Sequence, residues 1–168
     1  MFERFYPDYY LDSTYHIDFK KAYEEGYRGL IFDIDNTLVP HGAPADHKAI
    51  KLMEQLKATG FQIMLLSNNK EPRVKAFHNL VKVPYIFDAK KPQVKNYIKA
   101  MERMGTDKNN TLFIGDQLFT DVFGANRAGI KTYLVKPIHP KEEIQIVFKR
   151  FLEKIVLFFY KRKKADRS

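Results

Sequence analysis

Short apolar runs alternate along the chain with longer stretches in which apolar residues recur at helical spacing. The runs predict five strands, which read GLIFDID, FQIMLLSNN, VPYIFDA, NTLFIGD and KTYLVK. The stretches between them predict four helices, which read ADHKAIKLMEQLKATG, EPRVKAFHNL, KPQVKNYIKAMERMG and FTDVFGANRAG. This alternation is typical of an α/β protein. Because the strands are apolar on both faces, we expect a doubly wound parallel sheet in three α/β/α layers.

The length of the chain favours one domain. With 168 residues, we predict a single domain over 1–168, in which 141–168 form a basic amphipathic helix or tail. Residues 1–28 are expected to add a covering helix or a hairpin, because DFKKAYEEG is weakly helical. The N-terminus lacks the continuous apolar core of a signal peptide. The expected location is therefore the cytoplasm, with the inner face of the membrane as an alternative.

The amino-acid composition excludes several classes of protein and of functional site. Apolar residues make up 45% of the chain, which excludes a disordered protein. There are no cysteines, which excludes disulfides, thiolate catalysis and zinc–thiolate sites. The formal charge is +9, and 141–168 hold nine Lys and Arg against four acids. A basic segment indicates either an anionic partner, such as nucleic acid, membrane or phosphorylated substrate, or a solvated tail.

Polar side chains stand where four of the five predicted strands stop. Ligands of parallel sheets bind outside the carboxyl ends of the strands. Four strands would thus deliver polar residues to one edge, an arrangement that stability alone does not explain. In chain order these residues are Asp33, Asp35, Ser67, Asn68, Asn69, Lys90, Lys91, Asp116 and Asp121.

Three or four carboxylates would meet at that edge, and their repulsion calls for a cation. Mg²⁺ takes oxygen ligands and usually binds through one or two carboxylates plus substrate phosphate. One aspartate then keeps an oxygen free as a nucleophile, and the carboxylate route to phosphoryl transfer is an aspartyl-phosphate intermediate. Ser67 and Lys91 would hold the phosphoryl oxygens. The residues therefore predict a Mg²⁺-dependent phosphoryl-transfer site.

Four short motifs follow one another along the chain, each directly after a predicted strand. They are Asp-x-Asp-x-Thr at 33–37, Ser67, Lys91-Pro92, and Gly115-Asp116 with Asp121. Each motif alone is weak evidence, but in this order, over roughly residues 28–136, they resemble those of the haloacid dehalogenase (HAD) phosphohydrolases. The resemblance implies a Rossmann-like sheet and a phosphatase that requires Mg²⁺.

The resemblance also implies roles for the carboxylates. Asp33 would be the nucleophile, and Asp35 the general acid and base. The Mg²⁺ ligands would be Asp33, the Asp35 backbone carbonyl and Asp116. Asp121 would complete the metal site by orienting the metal waters or Lys91.

A second set of residues is expected to bind the phosphate or the rest of the substrate. Lys91 is favoured over Lys90 as the phosphate lysine, because it precedes the proline of the motif. Arg73 would reach a second anionic group of the substrate, with a solvated helix face as the alternative. The predicted substrate-binding residues are Thr37, Ser67, Asn68, Arg73 and Lys91.

Longer stretches resemble one branch of this family. DIDNTLV, LLSNN, AKKP and GDQLFTDVFGANRAG are similar to the YqeG-like class IIIA HAD phosphatases. That branch is similar to the phosphatidylglycerophosphate phosphatases of yeast mitochondria and plastids, which act in phospholipid biosynthesis. The resemblance implies a phosphorylated lipid headgroup as substrate. A soluble sugar phosphate, a nucleic-acid end and a phosphoprotein are the alternatives, and a scaffold with a vestigial site is disfavoured because the motif residues are present.

The intervals between motifs leave no space for a cap domain. The chain between Asp35 and Ser67 is occupied by a flap, one helix and one strand, and the chain between Ser67 and Lys91 by one helix and one strand. We therefore expect a capless enzyme with an open site, which admits a phosphate on a large body. The alternative is an oligomer in which a neighbouring subunit closes the site.

The C-terminal segment predicts an amphipathic helix. It either packs on the sheet alone or also contacts a membrane interface, with its lysines at anionic headgroups; nucleic acid is the least favoured partner. Its apolar run over 155–160 is far shorter than the roughly 20 residues that span a bilayer. The predicted apolar face consists of Ile144, Val147, Phe148, Phe151, Ile155 and Phe158.

Overall fold

The computed structural model describes residues 1–139 and 144–167. Six strands form one sheet in the order β1-β6-β5-β2-β3-β4, in which neighbouring strands are parallel. The strands are β1 (Tyr9–Leu11), β2 (Gly29–Phe32), β3 (Gln62–Leu66), β4 (Tyr85–Ile86), β5 (Thr111–Gly115) and β6 (Lys131–Val135). The α-helices are α1 (Phe19–Glu24), α2 (His47–Thr59), α3 (Glu71–Val81), α4 (Lys95–Met104), α5 (Phe123–Arg127) and α6 (Ile144–Ala165).

The strands fill two cores, one on each face of the sheet. Leu30 and Phe32 of β2 lie in the core that contains α1, α2 and α3. Ile31, between them, lies in the core that contains α4 and α5. Because successive side chains of a strand point to opposite faces, one apolar strand supplies both cores. The predicted doubly wound parallel sheet is confirmed.

The chain leaves strand geometry just where its first motif begins. The strand was predicted to extend to Asp35, but β2 ends at Phe32. Asn36 has a positive φ of 60°, and the Leu38 amide donates to the carbonyl of Ile34 in a tight turn. This turn follows the buried strand directly and presents both motif aspartates at the carboxyl edge of the sheet.

The N-terminal region adds an edge strand that the sequence pattern did not indicate. Helix α1 forms where DFKKAYEEG predicted one. The hairpin alternative is wrong, because β1 pairs in parallel with β6, whose residues lie more than a hundred positions further along the chain. A pairing between such distant segments leaves no local signal in either of them.

Two predicted elements differ from the structure in length or type. VPYIFDA forms a strand only at Tyr85–Ile86, on the sheet edge. The helix predicted over FTDVFGANRAG begins with a π-helical turn at Leu118–Val122, which is continued by α5. A wider turn of this kind often marks a functional site in a helix.

Helix α6 turns a different face inward from the predicted one. Phe148, Phe151 and Phe158, which belong to the predicted packing face, are 59–63% exposed. The helix instead packs through Val156 and Leu157, against residues of β6 and the π-helical turn. The prediction that the face with Phe148, Phe151 and Phe158 packs on the sheet is therefore wrong. Helix α6 carries two apolar strips, and the strip with Val156 faces inward. The side chains of residues 144–147 lie outside those that the structure describes.

The intervals between motifs hold only the expected elements. Helix α2 and β3 occupy the chain between Asp35 and Ser67, and α3 and β4 occupy the chain between Ser67 and Lys91. Both intervals are described in full, and neither contains an inserted domain, so the capless architecture is confirmed. Within the described residues, no helix is long and apolar enough to cross a membrane.

Candidate active site

A buried lysine joins two aspartates from different strand ends. Lys91, in the loop after β4, places its Nζ 2.8 Å from Oδ1 of Asp33 and 2.7 Å from Oδ1 of Asp121. The Asn68 side chain fixes the Lys91 backbone, since it accepts from the Lys91 amide at 2.8 Å and donates to the Lys91 carbonyl at 3.2 Å. The loops that follow β2, β3, β4 and β5 therefore meet here. Lys90, by contrast, is exposed.

A threonine hydroxyl lies between two further carboxylate oxygens. Thr37 Oγ1 is 3.3 Å from Asp33 Oδ2 and 3.2 Å from Asp116 Oδ1. A hydroxyl has one proton, so it donates to only one of these oxygens at a time. The sequence placed Thr37 among the phosphate-binding residues; the structure places it behind the carboxylates, almost fully buried.

Asp121 lies against the end of β5 because Gly115 has no side chain. Asp121 Oδ2 accepts from the backbone amides of Asp116 at 3.2 Å and Gln117 at 3.1 Å. A Cβ atom at Gly115 would lie 2.5 Å from that same oxygen. The glycine of this motif is therefore required for the close approach of the carboxylate.

Asp35 is held by donors from the flap and from the loop after β3. Its Oδ1 accepts from the Gly42 amide at 2.6 Å and from Arg73 at 3.0 Å. Its Oδ2 accepts a short hydrogen bond from Asn69, whose side chain also donates to Ser67 Oγ at 3.2 Å. These contacts hold the Asp35 carboxylate apart from the cluster formed by the other motif aspartates.

Arg73 contributes a donor that is not satisfied within the described residues. Its terminal nitrogen pairs with Asp35, but its Nε is buried without a hydrogen-bond partner. A buried unsatisfied donor is costly, typically about 1–3 kcal/mol. Among the described residues, this atom therefore has no acceptor.

Two residues of α6 reach the site, and the sequence did not indicate either of them. Arg150 donates to Oδ2 of Asp116 at 2.5 Å and to its backbone carbonyl at 2.6 Å. Glu153 accepts from Arg150 at 3.1 Å and from the Leu118 amide at 3.0 Å. The only local signal was an ion pair at i, i+3 within an apolar stretch. Such pairs are common on solvated helix faces, so the signal does not point to this site.

Burial shifts the pKa values of the ionisable side chains in the site. It raises the pKa of the Asp33 carboxyl well above its ordinary value, although the Lys91 amine acts against it. Burial, together with the charge of Asp121, raises the pKa of Asp116 to about 6, with Arg150 opposing the shift. Burial acts to lower the pKa of Lys91, but Asp121 and Asp33 outweigh it and the pKa is raised. The lysine is therefore charged. The cations beside Asp33 and Asp116 are not sufficient to keep the pKa values of these two carboxyls in their ordinary range.

The charges and the geometry both fit a hard divalent cation. Asp33, Asp116 and Asp121 each offer a carboxylate oxygen, and these oxygens lie within 4.8 Å of one another. Among the described residues, the ion pairs at this edge join five carboxylates to three cations, which leaves two negative charges. The carboxylates are Asp33, Asp35, Asp116, Asp121 and Glu153, and the cations are Arg73, Lys91 and Arg150. An oxygen-only ligand set of this kind suits Mg²⁺.

A cavity of about 120 Å³ opens onto these residues from the solvent side. It is large enough for a phosphoryl group but not for a whole substrate, so the remainder of a ligand would extend outward. Four predicted residues, Thr37, Arg73, Asp116 and Asp121, do not line it. Its lining residues are Asp33, Asp35, His41, Ser67, Asn68, Asn69, Lys91, Gln117 and Thr120.

Solved structures resemble the fold, among them the following two. A protein of Listeria monocytogenes serotype 4b superposes with a TM-score of 0.53 at 17% identity, over 70% of this chain and 86% of that one. The cobalt-bound deoxy-D-mannose-octulosonate 8-phosphate phosphatase of Haemophilus influenzae superposes with a TM-score of 0.50 at 13% identity, over 67% and 80% of the two chains. At these identities the likeness concerns the fold alone.

Sequence comparison gives closer relatives. A family model described as HAD-hydrolase-like matches residues 89–143. The chain is 26% identical to phosphatidylglycerophosphate phosphatase 1, chloroplastic/mitochondrial, of Arabidopsis thaliana over 88% of its own length, but spans only 44% of that protein. It is 38% identical to the probable phosphatase YqeG of Bacillus subtilis over 160 residues, which cover 95% of this chain and 93% of the relative. The chain therefore belongs to the HAD family of phosphatases, together with YqeG.

Proposed function

We propose that the protein is a Mg²⁺-dependent phosphomonoester hydrolase that works through a phosphorylated Asp33. The observation that carries the proposal is the position of Asp33. Its carboxylate lies at the wall of the small cavity, paired with Lys91, and Asp35 lines the same cavity. A nucleophile, a proton-transfer group and a fixed cation thus border one space of phosphoryl size.

The proposed reaction has two steps. An oxygen of the Asp33 carboxylate attacks phosphorus and the bond to the ester oxygen breaks. Asp35, which first takes up a proton from solvent, donates that proton to the leaving alkoxide. Asp35, now a carboxylate, then takes a proton from a water molecule whose oxygen attacks the phosphorus. The bond to Asp33 breaks, and inorganic phosphate leaves.

The other residues would stabilise charge in both steps. The Lys91 amine and the side chains of Ser67 and Asn68 face the cavity and would bind the phosphoryl oxygens. Mg²⁺ would be held by Asp33, Asp116 and the Asp35 carbonyl, with Asp121 positioning Lys91. When bound, the cation supplies charge neutralisation for the phosphoryl group.

As the substrate we propose phosphatidylglycerophosphate, the lipid named in the plastid relatives of Arabidopsis thaliana and Chlamydomonas reinhardtii. The chain spans about half the length of both proteins, so this assignment rests further on the site. The site is uncapped, which suits a phosphate on a large body. The Arg73 guanidinium, which pairs with Asp35, would bind a second anionic group, such as the phosphodiester of this lipid.

The mechanism is tested by Asp33→Asn, which keeps the size of the side chain but removes the nucleophilic oxygen. We expect hydrolysis of a simple phosphate monoester to fall by about 10⁴-fold or more, while circular dichroism stays unchanged. Transfer of radiolabelled phosphate to the wild-type chain, absent in the variant, would support the intermediate. Turnover by the variant near the wild-type rate would overturn the mechanism.

The substrate is tested by competition. Phosphatidylglycerophosphate in mixed micelles is compared with sugar phosphates, a 5′-phosphorylated oligonucleotide and a phosphopeptide, with kcat/KM measured for each. We expect the lipid to be preferred. A higher kcat/KM for a sugar phosphate would leave the phosphatase assignment standing and reject the lipid.

A further inference from the structure

Helix α6 exposes a continuous apolar strip on the side opposite the one that buries Val156. Successive positions of this strip are three or four residues apart or adjacent, so they form one stripe along the helix. It extends over about 17 Å at 1.5 Å per residue. We call it the outer face of α6; it consists of Phe148, Phe151, Leu152, Ile155, Phe158 and Phe159, each 38–63% exposed.

Basic side chains border the outer face. Lys149 and Lys154 are exposed beside its first half, and Lys161 and Arg162 are exposed at its end. The one acidic residue of the same stretch, Glu153, is buried on the inner side and paired with Arg150. The outer face is therefore apolar at its centre and positive at its edges.

This pattern distinguishes between the candidate partners. A second copy of the chain would bring the same positive borders together, and each chain carries a formal charge of +9. A nucleic acid would satisfy the charges, but it would leave Leu152 and Ile155 without an apolar partner. An anionic bilayer offers hydrocarbon for the strip and phosphate headgroups for the lysines.

The outer face also lies close to the candidate active site. Phe151 of the outer face and Asp116 of the carboxylate cluster line the same cavity of about 460 Å³, whose walls include Leu134, Val135 and Leu157. This cavity therefore connects the outer face to Asp116 at the carboxyl edge of the sheet, and the separate phosphate pocket is lined by other residues of the same edge.

We propose that the outer face of α6 docks the protein on the surface of an anionic phospholipid bilayer. The apolar strip enters the boundary between headgroups and acyl chains, while the lysines and arginine contact lipid phosphates. Docking deepens the proposed function, because it would bring the phosphate pocket to a substrate that stays in the membrane. It does not depend on hydrolysis, so the two proposals can fail separately.

The test is flotation with phosphatidylcholine vesicles that contain or lack phosphatidylglycerol. We expect the wild type to float with the anionic vesicles, and salt to weaken the binding. Phe148→Ala combined with Phe158→Ala should lower the partition coefficient about tenfold or more, because two exposed aromatic rings are lost from the apolar strip. Lys154→Glu combined with Lys161→Glu should lower it on anionic vesicles.

A matched control removes apolar side chains elsewhere on the surface. Leu80 on α3 and Ile98 on α4 are 48% and 44% exposed. Leu80→Ala combined with Ile98→Ala should float like the wild type, and circular dichroism should show that all variants are folded. Flotation of the Phe148/Phe158 variant at the wild-type level, or no flotation of the wild type, would overturn the proposal. A wild-type dimer that this variant converts to a monomer would assign the outer face to a second copy instead.

Two measurements separate this proposal from the proposed function. The Asp33→Asn variant should float like the wild type. The Phe148/Phe158 variant should hydrolyse a soluble phosphate monoester at the wild-type rate, yet lose activity on phosphatidylglycerophosphate presented in vesicles. Activity retained by Asp33→Asn would remove the proposed mechanism and leave the docking result intact.

Discussion

The carboxyl edge of the sheet and the outer face of α6 depart from ordinary burial in opposite directions. At the edge, charged side chains such as Lys91 and Asp121 are almost fully buried. On the outer face, aromatic side chains such as Phe148 are mostly exposed. Buried charge is costly to an isolated fold, and a large exposed apolar strip is unusual on the surface of one. In the two proposals made above, a component outside the chain would account for each: a phosphate with a cation at the edge, and a lipid surface on the helix.

Arg150 connects the two regions. Arg150 extends from the inner side of α6 to Asp116. Its neighbour in the chain, Phe151, belongs to the outer face of the same helix. The helix is therefore not a detached tail, because it is hydrogen-bonded to a carboxylate of the candidate site. The following experiments test how far the two regions are separate, beginning with the largest expected effect.

Replacement of Lys91 by Met tests the buried charge most severely. The change leaves Asp33 and Asp121 without their shared cation, and losing one partner of a buried ion pair costs about 3–5 kcal/mol. We also expect kcat/KM on a soluble monoester to fall by about 10³-fold. Denaturant unfolding and steady-state kinetics measure the two effects. The control is Lys90→Met at the exposed neighbour, and equal losses in both variants would contradict the ion pairs of Lys91 with Asp33 and Asp121.

Arg150→Ala tests the link between helix and site. The Asp116 carboxylate would lose the guanidinium that positions it, and we expect kcat/KM on a soluble monoester to fall about tenfold, close to 1.4 kcal/mol. The Mg²⁺ concentration for half-maximal activity should shift as well, which a purely structural contact would not cause. Arg150→Lys should recover part of the loss. Lys149→Ala is the control, and wild-type values for Arg150→Ala would mean that the two regions act independently.

The raised pKa of Asp33 predicts a pH dependence of stability in the absence of metal. The native carboxyl holds its proton at pH values where the unfolded one, with an ordinary pKa of 3.8, has lost it. The wild type should therefore lose stability relative to Asp33→Asn as the pH rises above about 4. Urea unfolding of both proteins in EDTA measures the difference. A difference that does not change with pH would argue against a raised pKa.

The smallest effect is expected on the outer face itself. Phe158→Ala should change the free energy of unfolding by less than about 0.5 kcal/mol, because the ring is largely exposed in the folded chain. Val156→Ala, on the inner face two positions earlier, should cost roughly 1–3 kcal/mol. Thermal or chemical unfolding in solution compares the two. A large loss for Phe158→Ala would show that the outer face contributes to the fold itself.

The sequence allowed the doubly wound sheet to be predicted because its strands carry their own signals. Each buried strand is apolar on both faces and is followed by polar residues, so both the strand and its functional end are local features. That is why Asp33, Ser67, Lys91 and Asp116 could be assigned to one edge without a structure. A motif, however, gives the identity of a side chain and not its direction, so the burial of Thr37 between two carboxylates was not predicted.

The features that escaped prediction depend on distant contacts. Strand β1 forms because β6 supplies its hydrogen bonds from far along the chain. The orientation of α6 is fixed by Val156 and by the hydrogen bonds of Arg150 and Glu153 to the loop after β5. Both strips of this helix are apolar, so hydrophobic periodicity alone cannot decide between them.

Gly115 carries a consequence for mutational scanning and design. Any side chain at this position would overlap Asp121, whose carboxylate already receives two backbone amides and the lysine. A library of substitutions selected for activity should reject every replacement at Gly115 as firmly as at the nucleophile, although the residue has no reactive atom. Tolerance to substitution thus depends on the space available to a side chain as well as on its reactive atoms. A scan that ranks positions by intolerance alone would list this glycine as catalytic. A designer who transfers the site to another scaffold must therefore transfer an empty space along with the carboxylates.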